Sequence, residues 1–245
     1  MGLICRLGEV RERFLGFSEE ILISSRSYKS TIYAQLLVAI GFLFASGTAE
    51  GAVLYNVNVN TMAISGATGN INFVLGPGLP PVDLLNVSLT NFNTMGGVIG
   101  GPPTIGGNPN TTGALPGTVT MDNTGVGVDY FQSFTFGANF SFLLTLYGPA
   151  VDSPSLLATG GTTFGIALYD AGGITPLLTT DPFGFAATIE IAPMTGVITL
   201  NAFPPTIGGT PVVTFDPVPE PATWMSVCGS LLALGIVRRR WAVRT

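Results

Sequence analysis

Residues 131–146 read FQSFTFGANFSFLLTL, two runs in which apolar and polar side chains alternate on either side of a Gly-Ala-Asn step. Alternation with period two is typical of strands that bury one face. In the first run Phe134 and Phe136 share a face, and in the second run the shared face holds Phe140, Phe142, Leu144 and Leu146. The step at 137–139 predicts a tight turn, so the stretch predicts a β-hairpin. Because buried phenylalanine usually serves packing, we expect the centre of the core here rather than a sugar-stacking platform.

The alternating pattern extends in both directions along the chain. Residues 53–60 read VLYNVNVN, in which the asparagines lie on the solvent-exposed face of a predicted strand. Further candidate strands are bounded by Gly, Pro, Asn and Asp, and they lie at 71–75, 84–92, 117–121, 130–136, 140–147, 162–169, 186–191, 197–201 and 212–215. No convincing helix separates them, so about ten strands predict an all-β body folded as an antiparallel β-sandwich.

Two segments of low complexity interrupt or follow these strands. Residues 94–113 consist mostly of Gly, Pro, Asn and Thr. With little apolar area to offset its ordering entropy, this segment is predicted to be a mobile loop. The run Asp216-Pro217-Val218-Pro219 is predicted to be a stiff spacer behind the last strand.

The charge distribution limits the partners of this 245-residue chain. All nine Lys and Arg residues lie near the termini, whereas residues 52–216 contain eight acids and no basic residue. Nucleic acids and anionic membrane surfaces are bound by Lys and Arg that neutralise phosphates, so both are poor partners for this body. Divalent cations and neutral sugars remain compatible with it.

The residue types that most enzymes use are scarce. The chain has no histidine, and its cysteines, Cys5 and Cys228, fall in the terminal segments. This excludes a Ser-His or Cys-His nucleophile pair and a zinc site of the usual kind. A pair of carboxylates such as Asp129 and Asp170 remains open to a glycosidase, but nothing in the pattern singles out a pair. We therefore predict a protein that is not an enzyme.

One loop has the composition of a metal site. Residues 122–129 read DNTGVGVD, and Asp122, Asn123 and Asp129 offer the oxygen ligands that calcium prefers. The spacing departs from an EF-hand loop because no glutamate stands at the twelfth position. Turns between strands favour the same residues for conformational reasons, so a plain turn is the alternative. Calcium is the one cofactor that the sequence suggests.

The N-terminal segment predicts export. Residues 36–45 read LLVAIGFLFA, an apolar run of the length that a signal peptide needs, and small residues follow up to Ala49. We expect residues 1–49 to be a leader with a signal helix, recognised by the export machinery and cut by signal peptidase after Ala49. The alternative is a retained N-terminal anchor, and either one exports the body.

The C-terminal segment, residues 217–245, has three parts. The motif Pro219-Glu220-Pro221 holds the chain extended, because proline fixes its own φ and disfavours helix in the residue before it. Residues 222–237 carry no charge and as a helix would reach about 24 Å, enough for a short transmembrane helix in a thinned bilayer. Arg238-Arg239-Arg240 follows as a stop that stays cytoplasmic under the positive-inside rule.

This order of motif, short apolar helix and basic stop resembles the PEP-CTERM sorting signal of Gram-negative bacteria. The resemblance implies recognition by an exosortase, a membrane cysteine transpeptidase, after a transient stay in the inner membrane. It also implies cleavage near the motif and delivery to the cell surface or the extracellular polymer matrix. The catalytic residues belong to the exosortase, so Pro219-Glu220-Pro221 is substrate. Residues 115–118, 131–137 and 168–170 are also similar to an uncharacterised PEP-CTERM family.

Taken together, the residues and the resemblance divide the chain into a leader at 1–49, a β-sandwich body at 52–216 and a sorting signal at 217–245. They predict an exported structural protein of the cell surface or extracellular matrix. The alternative function is a carbohydrate-binding module or calcium-dependent adhesin whose Gly-Pro-Asn loops contact extracellular polysaccharide.

Overall fold

A computed structural model of the chain describes residues 51–219, which fold into 12 strands with almost no helix. The strands are β1 (Val53–Asn60), β2 (Thr68–Pro77), β3 (Asn86–Asn93), β4 (Val98–Ile99), β5 (Thr104–Gly107), β6 (Val119–Asp122), β7 (Val128–Thr135), β8 (Asn139–Tyr147), β9 (Thr162–Asp170), β10 (Phe185–Ile191), β11 (Ile198–Ala202) and β12 (Val213–Val218). The helical pieces within this range are a 3-10 turn at Met62–Ile64 and a single α-helical turn, α1, at Pro149–Asp152. The predicted all-β body is confirmed, and the predicted terminal helices lie outside the described residues.

The strands form two antiparallel sheets. The first has five strands in the order β12-β1-β8-β3-β6. The second has seven strands, with the order β11-β10-β9-β2-β7-β4 and with β5 also paired to β7. Since β2 occupies one edge of β7, the short strands β4 and β5 share the other edge.

The inner faces of the two sheets meet in one hydrophobic core. Phe73 of the seven-stranded sheet and Phe142 of the five-stranded sheet have ring centroids 5.4 Å apart in an edge-to-face arrangement. Phe134 and Phe140 make a second such contact at 5.7 Å. These rings are at most 2% exposed. Alternation along strands such as β1, β7 and β8 points every second side chain into this layer.

The predicted hairpin at 131–146 is wrong, although its predicted core residues are buried. Strand β7 pairs with β2, β4 and β5, whereas β8 pairs with β1 and β3, so the two strands belong to different sheets. The chain crosses between the sheets at residues 136–138, where Thr61 Oγ1 donates a 2.8 Å hydrogen bond to the carbonyl of Gly137. A shared apolar face fits a hairpin or two strands that face each other across a core, and here the second arrangement occurs.

The predicted mobile loop at 94–113 is also wrong. Val98 and Ile99 of β4 pair with Thr135 and Phe134, respectively, and β5 pairs with residues 128–131 of β7. Gln132 adds a 3.0 Å hydrogen bond from Nε2 to the carbonyl of Gly101. The free edge of β7 thus supplies the backbone hydrogen bonds that offset the ordering cost.

Glycine permits the closest part of that approach. Gly107 has φ +84, and a Cβ there would collide with the carbonyl oxygen of Gly127. A residue without a side chain adopts this conformation freely and lets the two backbones touch. The glycine content that suggested mobility therefore serves close packing of backbone on β7.

The predicted stiff spacer at 216–219 is largely strand. Asp216, Pro217 and Val218 lie in β12 and pair with Asn56, Tyr55 and Leu54 of β1. Strand β12 is an edge strand, where proline is tolerated because one row of N–H groups needs no partner in the sheet. The body therefore extends two residues beyond the predicted boundary at 216.

Candidate functional site

Asp122, a predicted calcium ligand, is surrounded by hydrogen-bond donors at the end of β6. Its Oδ1 accepts a 2.9 Å hydrogen bond from the Thr124 backbone N–H and closer ones from Thr124 Oγ1 and Asn108 Nδ2. Its Oδ2 accepts a 3.1 Å hydrogen bond from Asn110 Nδ2. Partial burial opposes ionisation, but the hydrogen bonds donated by Thr124, Asn110 and Asn108 prevail and lower the pKa of Asp122.

Asn123, the second predicted ligand, is 2% exposed, and both ends of its amide are occupied by the protein. Oδ1 accepts a 2.8 Å hydrogen bond from the Leu85 N–H. Nδ2 donates 2.8 Å hydrogen bonds to the carbonyl of Asp83 and to Thr162 Oγ1. A calcium ion bound by Asn123 would have to share its Oδ1 with the N–H of Leu85.

Asp129, the third predicted ligand, belongs to a different sheet from the first. It is an exposed residue of β7 in the seven-stranded sheet, whereas Asp122 belongs to β6 in the five-stranded sheet. Within residues 51–219 no group of three or more acidic, histidine or cysteine side chains is placed to hold a metal ion. The calcium site stays a prediction, and Asn108 and Asn110 are the partners of Asp122 that sequence reasoning missed.

A second group of side chains lies on the outer face of the seven-stranded sheet. We call Asn72, Phe131, Tyr169 and Phe185 the outer-face cluster. Asn72 alternates along β2 with the core residues Ile71 and Phe73, so it points away from the core. In the sheet register it lies beside Phe131 of β7 on one side and Ala167 of β9 on the other.

The aromatic rings of the outer-face cluster lean together over β2. Phe131 and Tyr169 stand on the two strands that flank β2, which are about 9.6 Å apart at two strand spacings. Their ring centroids are only 5.9 Å apart, with an interplanar angle of 34°. On the far side of β9, Phe185 packs on Gly165, where an added Cβ would lie 2.6 Å from Phe185 Cδ1.

Asn72 lies on β2, between the strands that carry Phe131 and Tyr169. The side chain is 6% exposed, and its buried Oδ1 accepts no hydrogen bond from any of residues 51–219. The neighbouring Asn70 differs, because its Nδ2 donates a 2.8 Å hydrogen bond to the carbonyl of Asp170. Asn72 therefore carries a desolvated acceptor that the fold leaves unsatisfied.

Two carboxylates influence the hydroxyl of Tyr169. Burial first, and then the negative charges of Asp129 and Asp181, raise the pKa of Tyr169, so its hydroxyl stays protonated at neutral pH. Asp181 is held by its own turn, where Oδ2 accepts 3.1 and 3.0 Å hydrogen bonds from the N–H groups of Phe183 and Phe185. The cluster thus combines partly exposed ring surface with a hydroxyl donor and acceptor oxygens.

The predicted sorting motif begins one residue beyond the last strand. Pro219 is exposed and follows Val218, which ends β12 opposite Leu54 near the start of β1. The first strand therefore begins, and the last strand ends, at the same end of the body. Glu220, Pro221 and the stop at Arg238-Arg239-Arg240 lie outside the described residues, as does the predicted helix at 222–237. Within residues 51–219, no helix has both the length and the apolar character that crossing a membrane requires.

Comparison of the chain with protein-family models, with curated proteins and with solved structures gives no match. The case for function therefore rests on this chain's own residues.

Proposed function

We propose that the chain is an exported, non-catalytic protein of the cell surface or extracellular matrix, delivered by an exosortase that recognises Pro219-Glu220-Pro221. Its body is a β-sandwich, preceded by a signal helix within residues 1–49 and followed by a short transmembrane helix at 222–237. Signal peptidase and the export machinery act on the first segment, and the exosortase acts on the second.

The observation that carries this proposal is the position of the motif directly behind β12. The last paired residue is Val218, and the next is the exposed Pro219. Pairing with β1 ends at Val218, so the motif begins outside the sheet. An enzyme in the membrane would meet the motif between a folded body and an apolar anchor, with no long linker to search.

The common end of β1 and β12 supports the same proposal. Leu54 pairs with Val218, so both predicted membrane segments leave the body at neighbouring points. A chain held in the bilayer by its leader and its tail at once can still fold its body on one side. Cutting both segments then releases the sheets with β12 in place.

The roles of the acidic residues favour a structural body over a catalytic one. Asp170 Oδ1 accepts hydrogen bonds from the N–H groups of Ile174 and Thr175 at 3.1 and 3.2 Å. Asp83 and Asp152 similarly accept backbone hydrogen bonds, from Ser155 and Gly148. The hydrogen bonds from Ile174 and Thr175 lower the pKa of Asp170, which is the opposite of what a general acid near neutral pH requires.

The proposal is tested in a host that carries an exosortase and in the same host with that enzyme deleted. Intact mass is measured for the protein from the medium and from the membrane fraction. The wild-type chain is expected to lose its C-terminal tail and leave the membrane only when the exosortase is present. The double variant Pro219→Ala, Pro221→Ala is expected to keep its tail and stay in the membrane fraction.

Pro217→Ala is the matched control, because Pro217 lies in β12 two residues before the motif. It is expected to be processed like the wild type. Loss of the tail from the double variant, or its retention by the wild type in the exosortase-bearing host, would refute the sorting proposal.

A further inference from the structure

We infer that the outer-face cluster of Asn72, Phe131, Tyr169 and Phe185 is a binding site for a neutral polysaccharide. This site is separate from the sorting motif and goes beyond the proposed route to the surface. It lies on strands of the seven-stranded sheet rather than on the Gly-Pro-Asn loops.

Asn72 carries an unsatisfied acceptor on this face. A buried amide oxygen without a hydrogen bond costs free energy, and such groups in native proteins call for a specific explanation. Its direct neighbours in the sheet, Phe131 and Ala167, have side chains without polar atoms and cannot donate to it. A ligand hydroxyl that enters beside Phe131 and Tyr169 would supply the missing donor.

The aromatic rings of the cluster are partly exposed. Phe131, Tyr169 and Phe185 are all only partly buried, in contrast to the core rings of Phe73 and Phe134, which are at most 1% exposed. A pyranose ring has apolar C–H faces and polar edges, so it fits a surface that presents aromatic area flanked by hydrogen-bonding groups.

The charge around the cluster selects among polysaccharides. Asp129 and Asp181 act on the hydroxyl of Tyr169, and residues 51–219 contain no Lys or Arg to balance them. Carboxylates accept hydrogen bonds from sugar hydroxyls but repel uronic acids and sulfated sugars. The ligand class is therefore an uncharged polysaccharide.

Binding is measured by native electrophoresis in gels that contain one polysaccharide each. The probes are dextran, a galactomannan, a mixed-linkage β-glucan and the acidic alginate. The full chain is used in a detergent without a sugar headgroup, so that the detergent does not compete. At least one neutral polysaccharide is expected to retard the wild-type chain, and alginate is expected not to retard it.

Three variants locate the site. Phe131→Ala removes one ring and is expected to weaken binding about tenfold or more. Tyr169→Phe removes only the hydroxyl and is expected to weaken it roughly three- to tenfold. Asn72→Val removes the buried acceptor, and it is expected to weaken binding while leaving the protein at least as stable.

Tyr147→Phe is the matched control for Tyr169→Phe, since Tyr147 is an exposed tyrosine at the end of β8 in the other sheet. It is expected to bind like the wild type. Circular dichroism confirms folding of each variant, and Tyr169→Phe tests the site even if Phe131→Ala fails to fold. The inference is overturned if no neutral polysaccharide retards the wild type, or if folded Tyr169→Phe and Asn72→Val both bind like it. Because binding is measured without an exosortase, its failure is distinct from a failure of sorting.

Discussion

Strand β7 carries aromatic side chains on both of its faces, and the two faces have different surroundings. On the inner face, Phe134 is 1% exposed and lies against Phe92 and Phe140 of the opposite sheet, with ring centroids 6.2 and 5.7 Å away. On the outer face, Phe131 is partly exposed, and its one close aromatic neighbour among the described residues is Tyr169. Residue type alone therefore does not show whether a ring packs in the core or is exposed on the surface, whereas its position in the alternation does.

The sharpest way to break this comparison is to truncate one ring on each face. Phe73 is fully buried and contacts the rings of Phe142, Phe164 and Tyr130. Phe73→Ala is expected to lower the free energy of unfolding by about 3–5 kcal/mol, because it removes apolar contacts and leaves a cavity. Phe131→Ala is expected to lower it by about 1–2 kcal/mol, since the ring is only partly buried.

Urea unfolding of the two variants beside the wild type measures both values. Equal losses would mean that Phe131 belongs to the core in energetic terms. The distinction between an inner packing face and an outer display face would then be lost.

Two buried asparagines extend the comparison to polar groups. Asn123 makes hydrogen bonds with the N–H of Leu85, the carbonyl of Asp83 and the hydroxyl of Thr162. Asn123→Ala is expected to lower the free energy of unfolding by about 2–3 kcal/mol, because it leaves buried groups without their hydrogen-bond partner. Asn72→Val is expected to change stability by about 1 kcal/mol at most, in the favourable direction. It removes an unpaired acceptor and places a β-branched residue in a central strand.

The measurement is again urea unfolding, with Asn70→Val as a control on the same face. Asn70 donates to the carbonyl of Asp170, so its replacement is expected to destabilise the protein more than Asn72→Val does. A large loss of stability in Asn72→Val would show that its amide is already satisfied in solution.

The sequence predicted the strands well because alternation is a local signal. The ten predicted strands correspond to ten of the twelve, and the burial of Phe134, Phe140 and Leu144 follows from the same pattern. Strands β4 and β5 were not predicted, because they form by pairing with the free edge of β7. The residues of 94–113 alone do not indicate that pairing. The false hairpin has a related cause, since an apolar face does not say which sheet it belongs to.

The candidate sites were less predictable for the same reason. Asp122 was predicted as a ligand from the residues of its own loop. Its partners Asn108 and Asn110 come from the segment that was predicted to be mobile. Asn72 meets Phe131 and Ala167 only through the register of β2 with β7 and β9. Two local signals indicate this face. One is an asparagine in the apolar run NINF, and the other is a phenylalanine at position 131, where the alternation predicts a side chain that faces away from the core.

The smallest expected effect concerns the hydroxyl at the edge of the outer face. Burial and the charges of Asp129 and Asp181 raise the pKa of Tyr169 above the ordinary tyrosine value of about 10. The folded state therefore favours the protonated phenol more than the unfolded state does. This contribution to stability is fully present below about pH 10 and is lost as the pH rises through the higher folded-state value.

Ultraviolet titration of tyrosinate measures that value, with Tyr169→Phe used to assign the transition, because burial also raises the pKa of Tyr55 and Tyr130. The variant Asp129→Asn, Asp181→Asn is expected to lower the pKa of Tyr169 toward its ordinary value, since the two charges are removed while the burial remains. The transitions of Tyr55 and Tyr130 are expected to stay in place. An unchanged Tyr169 transition in this variant would mean that the two carboxylates do not act on the hydroxyl. Negative charge would then no longer distinguish the outer-face cluster from the uncharged core.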